Sequence, residues 1–370
     1  MSATTQGNGE PTAARGRTVR RFTSLGRRTA ALAVAAAAVL ALAACGSSLR
    51  DEGNKKAEQQ AGQGPRPIKM AGVFCVCFAG PYVAMEKGFF KQEGVPVKQY
   101  VATKGGADTF QALAGGDVDF ALSGLDAIVR GQSKGVKVRS VATVSPEFYA
   151  IAVRKGLTGQ IRDLKDLKGH KVAISKIGSA SWAFLQLALR RAGLGEDDVK
   201  IVQLGGIDTI VAGLKSGKVD AAVTWEPGTA QVQDKRIGSI LVNALRPADH
   251  QRLLGSSSSL GITLAVRDEL IEKNPELIKR AVRALNRADA WVKGHSAAEV
   301  ADVIAPLAPG VDRQVLTDSV EATMPMLPSS GAIHASGFRS SATVLKDAGV
   351  IDSIPPMDEA FTCQFARCVK

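Results

Sequence analysis

Hydroxyl, glycine and aromatic residues follow several predicted strands, where they could bind a small molecule. The segment Gly178-Ser179-Ala180-Ser181 combines a glycine, which lets the backbone approach a ligand closely, with two hydroxyl groups. Because it opens a predicted helix, its free N–H groups favour an anion, although the same residues would also serve as an ordinary N-cap. The other candidate binding residues at strand ends, helix starts and the second crossover are Phe78, Tyr82, Ser123, Gly124, Ser145, Ser175, Trp225, Glu226 and Ser258.

Four residues have two interpretations each. Trp225 either stacks on the ligand or packs in the core beneath a hinge. Glu226 either accepts hydrogen bonds from a ligand amine or forms an ion pair at the hinge, while Asp126 either caps a short helix or reaches the cleft. A carboxylate in the cleft would favour an aminated sulfonate or a heterocycle with donors over nitrate. Ser258 belongs to a run of four serines that either supplies hydroxyls or forms a flexible hinge.

An internal repeat shows what positions these residues. The phrase Gly105-Gly106-Ala107-Asp108-Thr109 leads to Val118-Asp119-Phe120-Ala121, and Gly205-Gly206-Ile207-Asp208-Thr209 leads to Val219-Asp220-Ala221-Ala222. Each copy predicts a glycine turn, a short helix that ends at glycine, and a strand. Two copies of one plan predict two lobes with a ligand cleft between them. Asp119 and Asp220 are interpreted as structural residues at strand starts.

Strands alternate with helices through the first two thirds of the chain, which predicts parallel sheets. Residues 68–78 form a predicted buried first strand, and residues 148–153 and 260–266 are predicted to pair as the two strands that join the lobes. Ligands in such sheets bind beyond the carboxyl ends of the strands. From Asp268 onward the pattern is mainly helical.

The composition excludes some classes of function. The 370 residues favour two domains, with 45% hydrophobic and 22% charged residues. Six arginines in residues 1–44 contribute to the net charge of +12, and the other charges are mixed in sign with no basic run between aromatics. Nucleic-acid binding is therefore not expected.

The N-terminus has the layout of an export signal. Arginines precede the uncharged stretch 29–44, which is short for a membrane-spanning helix, and Leu42-Ala43-Ala44-Cys45-Gly46 resembles a bacterial lipobox. Residues 1–44 are thus predicted to be a lipoprotein signal peptide, Cys45 the lipidated residue, and residues 45–66 a flexible tether. Either the general secretory route or a twin-arginine signal fits the arginine pairs.

Four cysteines remain for the exported protein, and they favour disulfide bonds. Cys75 and Cys77 lie two apart on the predicted first strand, where a bond between them would be strained. We therefore expect bonds from Cys363 and Cys368 to the first strand, with local pairing of Cys363 and Cys368 as the competing arrangement. A metal site is disfavoured because no histidine is near in sequence.

Residues 67–345 resemble a solute-binding protein of an ABC importer, of the branch for nitrate, sulfonates, taurine and thiamine-pyrimidine precursors. The phrases that carry the resemblance are 81–90 (PYVAMEKGFF), 166–173 (DLKGHKVA), and 217–221 with Trp225-Glu226-Pro227. The resemblance implies an α/β, two-lobed periplasmic-binding-protein-like fold of type II, with parallel-sheet lobes joined by two hinge strands. We assign residues 67–153 plus 258–370 to lobe 1 and residues 154–257 to lobe 2.

The resemblance further implies a monomer that binds a small molecule, needs no cofactor or metal, and docks on a membrane permease with its ATPase. The expected protein is extracytoplasmic and lipid-anchored, binds a small organic anion such as a sulfonate or taurine, and is not an enzyme. A binder of a pyrimidine or another heterocyclic vitamin precursor is the alternative ligand class. A pyrimidine-synthase-like enzyme is the alternative of another kind, but none of the four histidines falls at a predicted strand end facing the cleft. An adhesin would not need two matched lobes.

Overall fold

The computed structural model describes residues 67–256 and 259–369. A first five-stranded sheet has the order β2-β1-β3-β10-β4, in which β1 pairs in parallel with β2 and β3, and β10 runs antiparallel to β3 and β4. Its strands are β1 (Ile68–Gly72), β2 (Val97–Ala102), β3 (Phe120–Gly124), β4 (Val138–Ser145) and β10 (Ile262–Arg267).

A second five-stranded sheet has the same plan, with the order β7-β6-β8-β5-β9. Here β6 pairs in parallel with β7 and β8, and β5 runs antiparallel to β8 and β9. Its strands are β5 (Ala150–Arg154), β6 (Lys171–Ile174), β7 (Lys200–Gln203), β8 (Ala221–Thr224) and β9 (Gly238–Asn243). The fold class expected from the sequence is confirmed.

Fourteen α-helices occur among the described residues. Those before β10 are α1 (Ala79–Glu86), α2 (Phe89–Gln92), α3 (Gly106–Gly115), α4 (Leu125–Ser133), α5 (Ala180–Arg191), α6 (Ile207–Ser216), α7 (Gly228–Asp234) and α8 (Pro247–Leu254). Those after β10 are α9 (Asp268–Lys273), α10 (Pro275–Lys293), α11 (Ala297–Ile304), α12 (Arg313–Thr323), α13 (Ala335–Asp347) and α14 (Met357–Ala360). Two short strands, β11 (Ile333–His334) and β12 (Cys368–Val369), pair in parallel. None of the described helices is long and apolar enough to cross a bilayer.

The internal repeat has one structural role in both sheets. Helices α3 and α6 end at glycines in the left-handed conformation, with φ of 85° at Gly116 and 74° at Gly217, where a side chain would be strained. After each helix an aspartate carboxylate holds the start of a parallel strand of the same sheet, β1 in the first sheet and β6 in the second. Lys69 N–H donates to Asp119 Oδ2 (3.1 Å), and Lys171 N–H donates to Asp220 Oδ2 (3.0 Å). The predicted structural role of these two aspartates is confirmed.

The repeat extends to the antiparallel strand of each sheet. Arg267 and Arg154 are the last residues of β10 and β5, and they form ion pairs with the two anchoring aspartates. Arg267 Nη2 lies 3.8 Å from Asp119 Oδ1, and Arg154 Nε lies 3.1 Å from Asp220 Oδ1. The two sheets are therefore built on one plan of strands, helix and ion pair.

The predicted pairing of segment 148–153 with segment 260–266 is wrong. Strand β5 lies between β8 and β9 in the second sheet, whereas β10 lies between β3 and β4 in the first. Each strand is buried on both faces, and it satisfies its backbone groups best inside its own sheet. The chain crosses between sheets over residues 146–149 and again between β9 and β10, and the exact lobe boundaries stay a prediction.

The first strand ends earlier than predicted, and this changes the cysteine geometry. Strand β1 stops at Gly72, and a 3₁₀ turn follows at Val76–Phe78, so Cys75 and Cys77 do not lie on an extended strand. The structure pairs Cys75 with Cys77, with Cα atoms 5.1 Å apart, and Cys363 with Cys368, at 5.5 Å. The expected bonds between the tail and the first strand are not formed, because each cysteine pairs with one that is near it in the sequence.

Candidate functional site

A small enclosed cavity lies between the two sheets, at the carboxyl ends of their strands. Its volume is about 20 Å³. The first sheet and its loops contribute Val73, Phe78, Gly106, Leu122, Gly124, Asp126, Ala127 and Ile262, and the second contributes Tyr149, Ser175, Ala180 and Trp225. We call this cavity the cleft cavity. Of the residues predicted from the sequence, Phe78, Gly124, Ser175 and Trp225 line it.

Trp225 follows β8 and spans the space between the lobes. Its side chain is buried, and its Nε1–H donates to the Phe74 carbonyl over 2.9 Å, on the loop after β1. The indole lies edge-on to the Tyr149 ring, with ring centroids 5.9 Å apart. Trp225 is thus both part of the cavity wall and a contact between the two halves, and its stacking on a ligand stays a prediction.

The serine segment before α5 forms a closed hydrogen-bond network. Ser175 Oγ lies 2.9 Å from Ser179 Oγ and 2.8 Å from Ser181 Oγ, and Ser179 Oγ accepts from the Trp182 N–H as an N-cap (3.4 Å). Gly178 has a φ of +81°, and its carbonyl accepts a hydrogen bond from Arg130 of α4. The N-cap interpretation is therefore correct, and only Ser175 of this network reaches the cavity wall.

Glu226 lies away from the cleft cavity, behind α7. Its Oε2 accepts from the Ala230 N–H (3.0 Å) and from the Ser319 hydroxyl of α12 (3.1 Å). Burial raises the pKa of this carboxyl to about 7. Neither predicted role, a ligand acceptor or a hinge ion pair, matches this placement, because Glu226 caps α7 and binds a hydroxyl.

The other predicted residues surround the cavity without lining it. Tyr82 is buried beneath the loop after β1, where its hydroxyl donates to the Val73 carbonyl (3.2 Å) and accepts from the Cys75 N–H (3.3 Å). Ser123 and Ser145 are fully buried at the ends of β3 and β4, and their Oγ atoms have no hydrogen-bond partner among the described residues. Cys45 and Ser258 lie outside the described residues.

Asp126, for which the sequence allowed either a helix cap or a place in the cleft, is a cavity residue. It lies in the first turn of α4, is 4% exposed, and lines the cleft cavity. Arg130 Nη2 lies 3.2 Å from Asp126 Oδ2, one helical turn away. Burial is the largest influence on Asp126 and raises its pKa in spite of Arg130.

A second cavity of about 30 Å³ adjoins the first and shares Asp126 and Ala180 with it. Its polar lining includes Glu147, on the first crossover, whereas most of its wall is apolar. Glu147 Oε1 is shielded from solvent and has no hydrogen-bond partner among the described residues. Burial, and next the nearby Asp126 charge, raise the pKa of Glu147 to about 8. We call this space the carboxylate cavity.

Polar contacts across the cleft hold the two halves together. Lys176 Nζ, after β6, lies 2.6 Å from Asp108 Oδ1 of α3. Arg130 of α4 reaches the Gly178 carbonyl and also lies over the Trp182 ring, 5.7 Å from its centroid. The structure is accordingly a closed arrangement in which Asp126 and Arg130 lie at the inner edge of the contact.

The two matched sheets with a cavity between them define a periplasmic-binding-protein fold. A solved protein of Bordetella bronchiseptica RB50 superposes with a TM-score of 0.72 at 23% identity, covering 80% of this chain and 94% of that chain. The alkanesulfonate-binding protein SsuA of Xanthomonas axonopodis pv. citri, solved bound to MOPS, superposes with a TM-score of 0.64 at 19% identity, covering 83% of this chain and 100% of that chain.

The chain belongs to the family described as NMT1/THI5 like, which matches residues 76–298. A Bacillus subtilis (strain 168) protein named "Putative aliphatic sulfonates-binding protein" is 30% identical over 251 residues, or 66% of this chain and 70% of that protein. The 4-amino-5-hydroxymethyl-2-methylpyrimidine phosphate synthase THI13 of Saccharomyces cerevisiae (strain ATCC 204508 / S288c) is 24% identical over 220 residues, or 57% of this chain and 62% of the yeast protein. The resemblance inferred from the sequence is confirmed.

Proposed function

We propose that this protein is the solute-binding component of an ABC importer and that it binds a small sulfonate- or taurine-like compound between its lobes. The observation that carries the proposal is the cleft cavity, whose wall comes from both sheets at their carboxyl ends. A ligand in that place contacts both halves at once. The family, and the sulfonate-binding names of several relatives and structural neighbours, support the same assignment.

The closed structure implies that ligand entry requires the lobes to separate. A cavity of about 20 Å³ has room for a water molecule, which needs roughly 10–15 Å³, but not for a sulfonate with its carbon chain. The contacts that must break first are the Lys176–Asp108 ion pair and the Arg130 and Trp225 bonds across the cleft. Open and closed forms that differ by a few kcal/mol let ligand contacts decide between them.

The nature of the cavity walls favours a binder over an enzyme. No histidine, cysteine or lysine is among the described residues that line the cleft cavity or the carboxylate cavity. His170 instead lies 3.3 Å from Asp220, at the strand-start end of the second sheet, and His250 Nδ1 contacts the Ala244 carbonyl. The synthase-like alternative, which the yeast relative's name raises, would need a reactive group at the ligand.

A thermal-shift screen of the exported form tests the proposed function. The compounds are nitrate, ethanesulfonate, taurine, MOPS, and a 4-aminopyrimidine. A true ligand at 100 times its Kd adds about 2.7 kcal/mol of stability, so at least one compound is expected to raise the unfolding temperature by several degrees. If no compound of these classes shifts the transition, the proposal is rejected.

We further propose that the protein is exported and held at the outer side of the membrane through Cys45, as a monomer that delivers its ligand to a permease and its ATPase. The export signal and lipobox-like segment support this, and they lie outside the described residues. Two local disulfides fit an oxidising compartment.

Peptide mapping under non-reducing conditions checks these pairings. We expect one peptide containing a Cys75–Cys77 loop and another containing a Cys363–Cys368 loop, because the structure brings each pair together locally. Each loop should gain two alkylation sites only after reduction. A cross-linked peptide that joins Cys75 or Cys77 to the tail would contradict the structure.

A further inference from the structure

We propose that the ligand carries a protonated nitrogen, and that Asp126, supported by Glu147, selects amine-bearing compounds over plain anions. This inference rests on the proposed function and names the ligand class for the same site. Asp126 is the charged residue shared by the cleft cavity and the carboxylate cavity, so a ligand that fills either space meets its carboxylate.

The carboxyl groups around the two cavities outnumber the cations that approach them. Asp126 and Glu147 are the only charged side chains among the described residues lining them. Arg130 is the cation that approaches, and it bonds Asp126 Oδ2 and the Gly178 carbonyl. Glu147 Oε1 is left without a partner in a site shielded from water. One cation therefore serves two carboxyl groups, and Glu147, which has no cation of its own, is the group that a ligand cation would pair with.

The direction of the pKa shifts agrees with the shortage of cations around these carboxyls. The pKa of Glu147 is raised to about 8, by burial first and by the neighbouring Asp126 charge second. The pKa of Asp126 is raised as well, by burial. Glu147 therefore holds its proton at neutral pH. A ligand ammonium would stabilise the ionised form of both carboxyls, whereas nitrate or a plain sulfonate would place a second negative charge beside Asp126.

The wall of the cleft cavity also includes a helix start. Gly106, the first residue of α3, lines this cavity together with Asp126, and the N-cap residue Gly105 provides no side-chain cap. Ser175 of the other lobe contributes to the same wall. Backbone N–H groups at a helix start suit a sulfonate or carboxylate. When the lobes have opened and then closed on a ligand, a zwitterion would place its amine at Asp126 and its anionic group at this helix start.

The test uses matched pairs of compounds that differ in the nitrogen. The exported protein is titrated calorimetrically with taurine and with ethanesulfonate, and with 3-aminopropanesulfonate and propanesulfonate. We expect the amine-bearing member of at least one pair to bind at least about 30-fold more tightly than its partner. Both members are small and soluble, so the comparison isolates the charge.

Variants then assign the selectivity to Asp126. Asp126→Asn is expected to remove most of the preference for the amine, and Glu147→Gln to reduce it partly, while Asp117→Asn, an exposed aspartate of the same lobe, leaves it unchanged. Circular dichroism confirms that each variant is folded. If Asp126→Asn does not fold, two other results test the inference: the amine preference of the wild-type protein and its partial loss in Glu147→Gln.

The outcomes separate the inference from the proposed function. Binding of ethanesulfonate or nitrate as tightly as taurine, with no amine preference in either pair, overturns the inference and leaves the solute-binding role intact. Amine preference that survives Asp126→Asn also overturns it, because another group then recognises the nitrogen. Binding of none of the compounds overturns both the inference and the proposed function.

Discussion

Replacing Trp225 with alanine is expected to weaken ligand binding by about 30-fold or more while the protein still folds. The indole lines the cleft cavity, lies edge-on to Tyr149, and donates a hydrogen bond to Phe74 on the opposite lobe. Truncation removes a wall of the site and a contact that exists only when the lobes are closed. Buried tryptophans at binding sites commonly contribute 2 kcal/mol or more, which is roughly 30-fold or greater in affinity.

Calorimetric titration with the best compound of the thermal-shift screen measures this effect. Trp291→Ala is the matched control, because that tryptophan is only partly buried on α10 and stacks on His295, away from both cavities. Trp225→Phe keeps an aromatic wall but loses the bond to Phe74, so an intermediate loss of about 10-fold is expected. An unchanged affinity in folded Trp225→Ala would remove this residue from the site.

Replacing Glu226 with glutamine is expected to stabilise the protein at pH 8 by about 3 kcal/mol and to change little at pH 4.5. The pKa of the folded carboxyl is raised to about 7 by burial, against an ordinary value of 4.5. Below pH 4.5 both folded and unfolded forms are protonated. Between pH 4.5 and 7 the unfolded chain loses the proton while the folded protein keeps it, so ionisation increasingly favours the unfolded chain. Stability therefore falls over this range and levels off as the pH rises above the folded pKa of about 7.

The glutamine variant keeps the hydrogen bonds while removing the titration. One amide oxygen can accept from Ala230 and Ser319, as Oε2 of Glu226 does. Urea unfolding of both proteins at pH 4.5, 6 and 8 gives the difference, in which the other buried carboxyls cancel. Glu321→Gln, an exposed glutamate of α12, is the control and should leave the pH dependence unchanged. Parallel stability curves for wild type and Glu226→Gln would contradict the assigned burial effect.

The repeated phrase predicted two lobes because it occurs twice and its glycines act locally. Gly116 and Gly217 end their helices in a conformation that favours glycine. Asp119 and Asp220 bond strand starts that lie 50 and 49 residues earlier in the chain, so the sequence indicated their structural role but not their partners. The strand partners of segments 148–153 and 260–266 likewise depend on contacts between distant parts of the chain, and these were predicted wrongly.

The position of the cleft cavity was predictable from the sequence, but the contacts of its side chains were not. Phe78, Gly124, Ser175 and Trp225 were chosen at strand ends as ligand-binding candidates and line the cavity, and their binding of a ligand stays a prediction. The orientation of the Glu226 side chain could not be predicted from the sequence, because its partner Ser319 is 93 residues away in the chain. Asp126 both begins a helix and faces the cavity, so a local pattern alone does not distinguish the two roles. A bond between Cys75 and Cys77 was disfavoured because an extended strand was assumed there, whereas the strand ends at Gly72.

The central claim is that two lobes close on a small molecule and release it unchanged. Equilibrium dialysis of the exported protein against taurine, followed by mass spectrometry of the released compound, measures it most directly. We predict saturable binding of one molecule per chain, lost in Trp225→Ala, with all of the taurine recovered intact after denaturation. Recovery of a converted product, or the absence of saturable binding to this or any other compound of the screen, would contradict the account.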